Sequence, residues 1–340
     1  MDWTLFFQLL VNGITLGSVY ALIALGYSMV YGVLKLLNFA HGDVYMIGAF
    51  IGFGVLTVGG GPAAPALPVW LLVMCMFLAA MLGSGLLGLA IERFAYRPLR
   101  DAPRIAPLIS ALGVSFFLQN SALLLFGASF RNYDTYTLIG FAGVQVRTIF
   151  LSAVQILVWS TAVLLMILLS LLVGRTRVGK AMRATAFDRE AAAMMGIDVD
   201  RVIATTFFVG SALAGAAGVM FGLMFLQIFH FMGFLAGLKG FTAAVVGGIG
   251  SIPGAMLGGL LVGLTEAYAT GYVSGSWSDL IVFGTLIFVM LVRRRGNVGN
   301  VSAAHYTLWI ARVPSRPLGR TSRTTMRIAK TVRSAQRPPR

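Results

Sequence analysis

The sequence has few charged residues, and this shortage excludes most classes of soluble protein. Asp, Glu, Lys and Arg make up 11% of its 340 residues, whereas 58% are hydrophobic. A typical soluble domain has about a quarter of its residues charged. The composition therefore predicts an integral membrane protein.

Residues that carry catalysis or bind metals are equally scarce. The chain has one cysteine, Cys75, and three histidines that lie far apart in sequence. No HExxH, CxxC or GxxxxGK[ST] motif occurs, so no zinc site, disulfide within the chain or phosphate-binding loop is indicated. The sequence predicts no catalytic residue, no metal site and no ATP site of its own.

Long apolar runs predict the fold class. Each approaches the roughly 20 residues that a helix needs to cross about 30 Å of hydrocarbon. Transmembrane strands would instead alternate polar and apolar residues, which these runs do not. We predict an all-α, polytopic transmembrane helical bundle with about eight membrane segments. The predicted spans are 8–33, 43–60, 69–91, 105–126, 152–173, 201–227, 237–270 and 277–292.

The stretch 237–270 is too long for one span and has the sequence GGIGSIPGAMLGG in its centre. Glycine and proline are tolerated at membrane depth where protein or a water-filled cavity covers the freed backbone. We therefore expect a broken passage, either two short crossings or a re-entrant hairpin. Gly13 and Gly17, four residues apart, additionally predict close packing between helices. The candidate pathway residues in the broken passage are Gly247, Gly248, Gly250 and Pro253.

The distribution of positive charge predicts the orientation. Segments 92–104 and 174–201 are rich in arginine, whereas 127–150 holds only two basic residues and 59–68 holds none. Short loops rich in Lys and Arg stay on the cytoplasmic side. The pattern predicts an external N-terminus, a cytoplasmic end after the last span and an odd number of crossings.

A polar segment, LLNFAHGDVYMIGAF (36–50), interrupts the apolar sequence. Asn38, His41 and Asp43 lie within six residues of each other, and leaving such groups unpaired in hydrocarbon is costly. We expect one helix to end near Leu37 and another to begin near Asp43, with Asp43 as its N-cap. This arrangement predicts a tight polar turn, or gate, at the inner side of the membrane. The candidate gating residues are Asn38, His41, Gly42 and Asp43.

Two further acidic residues, Glu266 and Asp279, lie near the later spans, and neither has an obvious partner in the sequence. A stand-alone secondary transporter would need such carboxylates to couple an ion. This alternative remains open from composition alone.

Residues 174–200 form the one long cytoplasmic segment, which is rich in alanine and mixed in charge. Gly179 precedes a predicted amphipathic helix, and Gly196 is placed to end it. Three interpretations fit these residues: a helix lying on the membrane surface, an ordinary loop helix, or a docking element for a soluble partner.

Four segments resemble the LivH-type permease of branched-chain amino acid ABC importers. They are NGITLGSVYALIALGYSMVYGVLKLLNFAHGDVYMIGAF (12–50), ERFAYRPLR (92–100), RTRVGKAMRATAFDREAAAMMGIDVDRVI (175–203) and GFLAGLKGFTAAVVGGIGSIPGAMLGGLLVGLTEA (233–267). The element NFAHGD is highly specific. The resemblance covers about residues 8–292 in one consistent order, which implies a permease domain over 1–292.

The resemblance implies a transporter subunit of the bacterial inner membrane rather than an enzyme. Its expected partners are a second paralogous permease, two cytoplasmic ATPase subunits that bind ATP and Mg, and a periplasmic or lipid-anchored binding protein. It is expected to contact membrane lipid and no nucleic acid. The implied substrates are leucine, isoleucine and valine, with urea or short amides as the alternative.

The resemblance also implies that the cytoplasmic segment at about 175–200 couples the permease to the ATPase. This interpretation favours docking over the other two that the residues allow. The implied coupling residues are Arg177, Gly179, Lys180, Arg183, Asp188 and Gly196.

The segment 293–340 departs from the family pattern. It holds 12 of the 26 Lys and Arg residues and no acidic residue, so 1–292 carries only +3 of the net charge of +15. One interpretation is a disordered basic extension that touches anionic lipid headgroups. The other is a frameshift near Arg294, which would leave 1–292 able to fold.

Overall fold

Helices dominate the computed structural model of the chain. The residues that it describes are 3–61, 65, 67–100, 102–103, 105–140, 143–146 and 149–293. The tail predicted at 293–340 lies outside the described residues, except for Arg293, which ends the last helix. The described residues up to Met290 belong to one structural unit.

Twelve α-helices occur in the described part of the chain. They are α1 (Trp3–Leu34), α2 (His41–Val58), α3 (Val69–Ile91), α4 (Ile105–Phe126), α5 (Thr135–Ile139), α6 (Ala153–Arg175), α7 (Arg177–Phe187), α8 (Arg189–Met194), α9 (Val199–Phe225), α10 (Met232–Gly247), α11 (Ile252–Tyr272) and α12 (Gly275–Arg293). Helix α3 continues through a π-helical turn, Glu92–Tyr96, and a 3-10 turn, Arg97–Leu99. Eight of the described helices are long and apolar enough to cross a membrane, which confirms the predicted all-α polytopic fold.

Two short antiparallel ribbons connect the helices at one end of the bundle. Strand β1 (Arg131–Asn132) pairs with β4 (Gln227–Ile228), and β2 (Gly143–Val146) pairs with β3 (Ile149–Ser152). The first ribbon joins the segment after α4 to the segment after α9. Next to it, the buried Tyr133 donates its hydroxyl proton to the carbonyl oxygen of Ala49 at 2.6 Å. This bond anchors the ribbon to α2.

Helices α1 and α11 pack antiparallel through glycine. Gly13 of α1 faces Leu264, Gly17 faces Leu260, and Ala21 faces Gly259, so the residue numbers decrease along α11 as they increase along α1. The packing predicted for Gly13 and Gly17 is therefore present. Small residues allow backbones to approach closely, which strengthens dispersion contacts in an environment where burial of apolar surface drives little.

The passage predicted to be broken consists of the short helix α10 followed by the full-length helix α11. After the β4 ribbon, α10 begins where Gly233 and Gly237 face Gly42 at the start of α2. Gly250, which follows α10, faces Gly32 near the C-terminal end of α1. Helix α10 has 16 residues and is shorter than the eight described helices that are long enough to cross a membrane. The odd number of crossings stays a prediction.

The contact between α1 and α11 predicts a position-specific effect of added volume. A Cβ at Gly263 would collide with the backbone of Gly17, whereas a Cβ at Gly284 of α12 meets nothing within 4 Å. We expect Gly263→Val to lower the free energy of unfolding by about 1–3 kcal/mol or more, because a packed interface cannot absorb the extra methyl groups. Thermal unfolding in detergent measures the effect, with Gly284→Val as the matched control. Equal melting temperatures for the two variants would contradict the packing.

Candidate functional site

The polar segment forms a bend between α1 and α2, and we call residues 35–40 the α1–α2 turn. Helix α1 ends at Leu34, and Lys35 takes a left-handed backbone conformation with φ of 57°. The buried Asn38 accepts a hydrogen bond from the hydroxyl of Tyr96 at 3.1 Å, and the same hydroxyl lies 3.3 Å from the carbonyl oxygen of Leu37. The end of α3 thus holds this turn in place.

His41 begins α2 and is buried against α1. Its imidazole lies so close to Gly26 that a Cβ there would collide with the ring. The ring of Tyr27 contacts it edge-on, with centroids 4.7 Å apart. Among the described residues, its Nε2 has no hydrogen-bond partner. A buried nitrogen without a hydrogen-bond partner is costly. His41 is therefore closely packed, but its side chain is not fully hydrogen-bonded.

Asp43 does not cap α2, and the predicted cap is wrong. Ala40 occupies the N-cap position with a helical backbone and makes no side-chain cap. Asp43 lies in the first turn, where its carboxylate points sideways to α4. It accepts hydrogen bonds from Ser115 Oγ at 2.5 Å and from Gln119 Nε2 at 3.0 Å. The carboxylate thus ties α2 to α4 through two neutral donors.

Glycines bring the start of α10 against the same region. A Cβ at Gly42 would collide with the carbonyl oxygen of Gly233 and approach Gly237. A small cavity of about 20 Å³ lies beside this contact, which is room for one water and far too little for an amino acid. It is lined by Tyr27, Phe39, Leu112, Ser115, Phe234, Gly237 and Leu238. The structure is therefore closed at this point.

The predicted glycines and proline of the broken passage form the elbow between α10 and α11. Gly247 ends α10, and Gly248 and Gly250 have φ of 101° and 89°, a conformation that favours glycine. Ser251 caps α11, accepting from the backbone N–H of Gly254 at 3.3 Å, and Pro253 stands in the first turn. The elbow lies near the C-terminal end of α1, whereas Asp43 faces α4.

Glu266 and Asp279 have a partner, contrary to expectation. The ammonium of Lys239 in α10 lies 2.7 Å from Glu266 of α11 and 2.6 Å from Asp279 of α12. Tyr20 of α1 interacts with Glu266 on another side. The sequence signal for this cluster was a single lysine within a long apolar stretch, because a charge inside the membrane needs a partner of opposite charge. Lys239 thus joins α10 to α11 and α12.

The cytoplasmic segment contains two helices rather than one. Thr176 caps α7 by accepting from the backbone N–H of Gly179 at 3.0 Å. Gly179 therefore lies inside α7, and its small size lets it pack against the backbone of Val173. Asp188 caps α8 by accepting from two backbone N–H groups, at 2.9 and 3.0 Å. Gly196, with φ of 82°, follows the end of α8 as predicted.

The predicted coupling residues differ in their surroundings. Arg177 and Lys180 are exposed, whereas the guanidinium of Arg183 donates to the carbonyl oxygen of Val173 at the end of α6. Some apolar side chains of this segment are buried and others are exposed. Met182 is buried, while three apolar side chains are more than four-fifths exposed: Phe187, Met194 and Met195.

A network of ion pairs joins the cytoplasmic end of α3 to the start of α9. The guanidinium groups of Arg97 and Arg100 both bind the carboxylate of Asp200, and Arg100 also binds the buried Glu92. Because Arg100 has two carboxylate partners, the network fixes the relative position of the two helix ends next to the coupling segment.

Comparison with known proteins places the whole helical region in one family. The family model described as the branched-chain amino acid transport system permease component matches residues 9–290. The permease BraD of the Pseudomonas aeruginosa high-affinity branched-chain amino acid transport system is 44% identical, over 87% of this chain and 96% of its own. Escherichia coli LivH matches with the same identity and coverage, and Methanocaldococcus jannaschii LivH is 28% identical over 84% of this chain and 88% of its own. No solved structure matches.

The link between Asp43 and α4 predicts unequal effects of two substitutions. Asp43→Ala removes the acceptor of the buried Ser115 hydroxyl and one of the two acceptors of Gln119 Nε2, and a buried group left unpaired costs about 1–3 kcal/mol. Asp43→Asn keeps one oxygen as an acceptor, so we expect a smaller loss of stability. Thermal unfolding in detergent compares the two variants. If both melt at the wild-type temperature, the carboxylate does not hold α4.

Proposed function

Because this chain belongs to the family of branched-chain amino acid transport permeases, we propose that it carries leucine, isoleucine, valine or similar apolar amino acids into the cytoplasm as part of an ATP-binding cassette importer. The observation that carries this proposal is 44% identity to BraD over almost the full length of that permease. The family match extends from α1 to within α12, so it includes every membrane-crossing helix.

We propose that the complete importer contains a second paralogous permease, two cytoplasmic ATPase subunits and a periplasmic or lipid-anchored binding protein, in the bacterial inner membrane. ATP and Mg would bind to the ATPase subunits. The exposed side chains of Phe187, Met194 and Met195 support docking of an ATPase on α7 and α8. When a partner covers large apolar side chains that face water, the removal of their surface from water stabilises the complex.

We further propose that the α1–α2 turn and the first turn of α2 form a gate in the substrate pathway. The pathway must open, because the cavity beside Gly42 has room for only one water. Helix α4 is held to Asp43 by Ser115 and Gln119, so moving α4 away would open this region. ATP-driven closure of the ATPase pair would move α7 and α8 and shift the balance between outward-open and inward-open states.

The glycine elbow between α10 and α11 is the second pathway element that we propose. Gly248 and Gly250 occupy backbone conformations that other residues rarely adopt, and Pro253 stiffens the start of α11. Together they would define the angle at which α10 meets α11 during opening. A hinge needs few residues that absorb changes in backbone angle.

Two alternatives are less well supported. Import of urea or short amides shares the architecture, but the names of the similar permeases specify branched-chain amino acids. A stand-alone secondary transporter would need intramembrane carboxylates free to bind an ion. Here Lys239 compensates Glu266 and Asp279, so these carboxylates already have a structural role.

Uptake in cells tests the proposed function. A strain without its own importer would express the neighbouring permease, ATPase and binding-protein genes, with and without this chain. We expect uptake of labelled leucine that requires this chain and is competed by isoleucine and valine. Uptake of urea or an amide instead would overturn the substrate, and no uptake of either would overturn the function.

Docking through α7 and α8 predicts a local effect of removing one exposed ring. Phe187 is 94% exposed, so Phe187→Ser should leave the fold intact while weakening ATPase binding. Val58 is 88% exposed at the end of α2 that is predicted to be external, and Val58→Ser is the matched control. Co-purification of the ATPase with each variant measures the effect. Equal recovery of the ATPase with both variants would contradict docking at Phe187.

A further inference from the structure

Arg189, the first residue of α8, connects the coupling segment to the end of α1. Its Nη2 donates to the carbonyl oxygen of Leu34 at 2.6 Å and lies 3.3 Å from that of Val33. The last four carbonyl groups of a helix have no partner within the helix, and they carry the negative end of its dipole. Arg189 therefore caps α1 across 155 residues of sequence.

The capped residues lie directly before the α1–α2 turn. Leu34 is followed by Lys35, whose left-handed conformation reverses the chain. Asn38 and His41 come next, and Tyr96 holds Asn38 from the other side. The start of the turn is thus bound to the coupling segment, and its middle is bound to the end of α3.

The electrostatic surroundings of Arg189 favour this cap over an ion pair. Burial is the main cause that lowers the pKa of the Arg189 guanidinium, and the nearby Arg100 is the second. Because the usual pKa of arginine is very high, the group stays charged. Glu92 and Asp200 are already bound by Arg100. In the described part of the chain, the hydrogen bonds of Arg189 go to the carbonyl groups of α1.

We propose that Arg189 is a positioning residue that transmits movement of α7 and α8 to the α1–α2 turn, and so couples ATP hydrolysis to opening of the gate. The inference rests on the proposed function. The contact of Arg189 differs from that of Arg183. Arg183 binds the end of α6, which is the helix directly before α7 in the chain. Arg189 reaches a helix that is distant in sequence and leads directly into the gating residues.

The test separates ATP hydrolysis from transport. The importer is reconstituted in proteoliposomes with its ATPase, second permease and binding protein, and leucine uptake and phosphate release are measured together. We expect Arg189→Gln to assemble normally and hydrolyse ATP, while leucine taken up per ATP falls by about tenfold, within the usual range of coupling between sites. Arg189→Lys should restore part of the ratio of leucine taken up to ATP hydrolysed, because lysine keeps the positive charge but lacks the planar guanidinium group.

Arg201→Gln is the matched control. Arg201 lies close to the same segment, is 88% exposed and pairs with the exposed Asp198, so its loss should leave the ratio unchanged. If Arg189→Gln leaves the ratio at the wild-type value, or lowers uptake and hydrolysis in equal proportion, the positioning role is overturned.

A second measurement does not depend on the substrate. In a Cys75→Ser background, a cysteine replacing the exposed Lys35 reports on the turn through its rate of reaction with a maleimide. We expect trapping of nucleotide with vanadate to change this rate in the otherwise wild-type importer and to leave it unchanged with Arg189→Gln. An equal change in both would overturn the inference. A wild-type response without leucine uptake would instead refute the proposed substrate and leave the inference standing.

Discussion

The charged groups that this chain carries into the membrane need partners inside the protein, and this requirement organises the bundle. Hydrocarbon offers no hydrogen bonds, so an unpaired carboxylate or ammonium is costly there. Asp43 meets the requirement by binding α4, and Lys239 meets it by joining α11 and α12. These polar contacts connect α2 to α4, and α10 to α11 and α12.

Close packing at glycine is the second kind of contact between helices, beside the polar contacts. The two kinds of contact join different pairs of helices. Helix α1 packs against α11 with backbones in contact at Gly17 and Gly263, which makes a close, rigid interface. Helix α4 is attached differently, through hydrogen bonds to Asp43, a hydrogen bond from Ser110 to the carbonyl oxygen of Ala95, and stacking of Phe126 on Phe50. A transporter needs a rigid part and a part that moves. We propose that α1 and α11 belong to the rigid part and α4 to the part that moves.

The sequence predicted the helices well because apolar runs of membrane length leave the backbone little alternative. It also located the polar turn, since Asn38 and His41 stand out against apolar neighbours. The partners of side chains were harder to predict. Asp43 resembles an N-cap in sequence, but Ala40 is the N-cap of α2, and the Asp43 carboxylate binds α4 instead. Lys239 was overlooked because the pairing joins residues 27 positions apart on separate helices.

In the coupling scheme that we propose, the α1–α2 turn separates from α4 when the ATPases close. The most direct measurement is the distance between spin labels at Lys35 in the turn and Ile109 on α4, two exposed positions, in the assembled importer. The coupling scheme predicts that this distance changes between the nucleotide-free and the vanadate-trapped state. An unchanged distance in an importer that still transports leucine would contradict it.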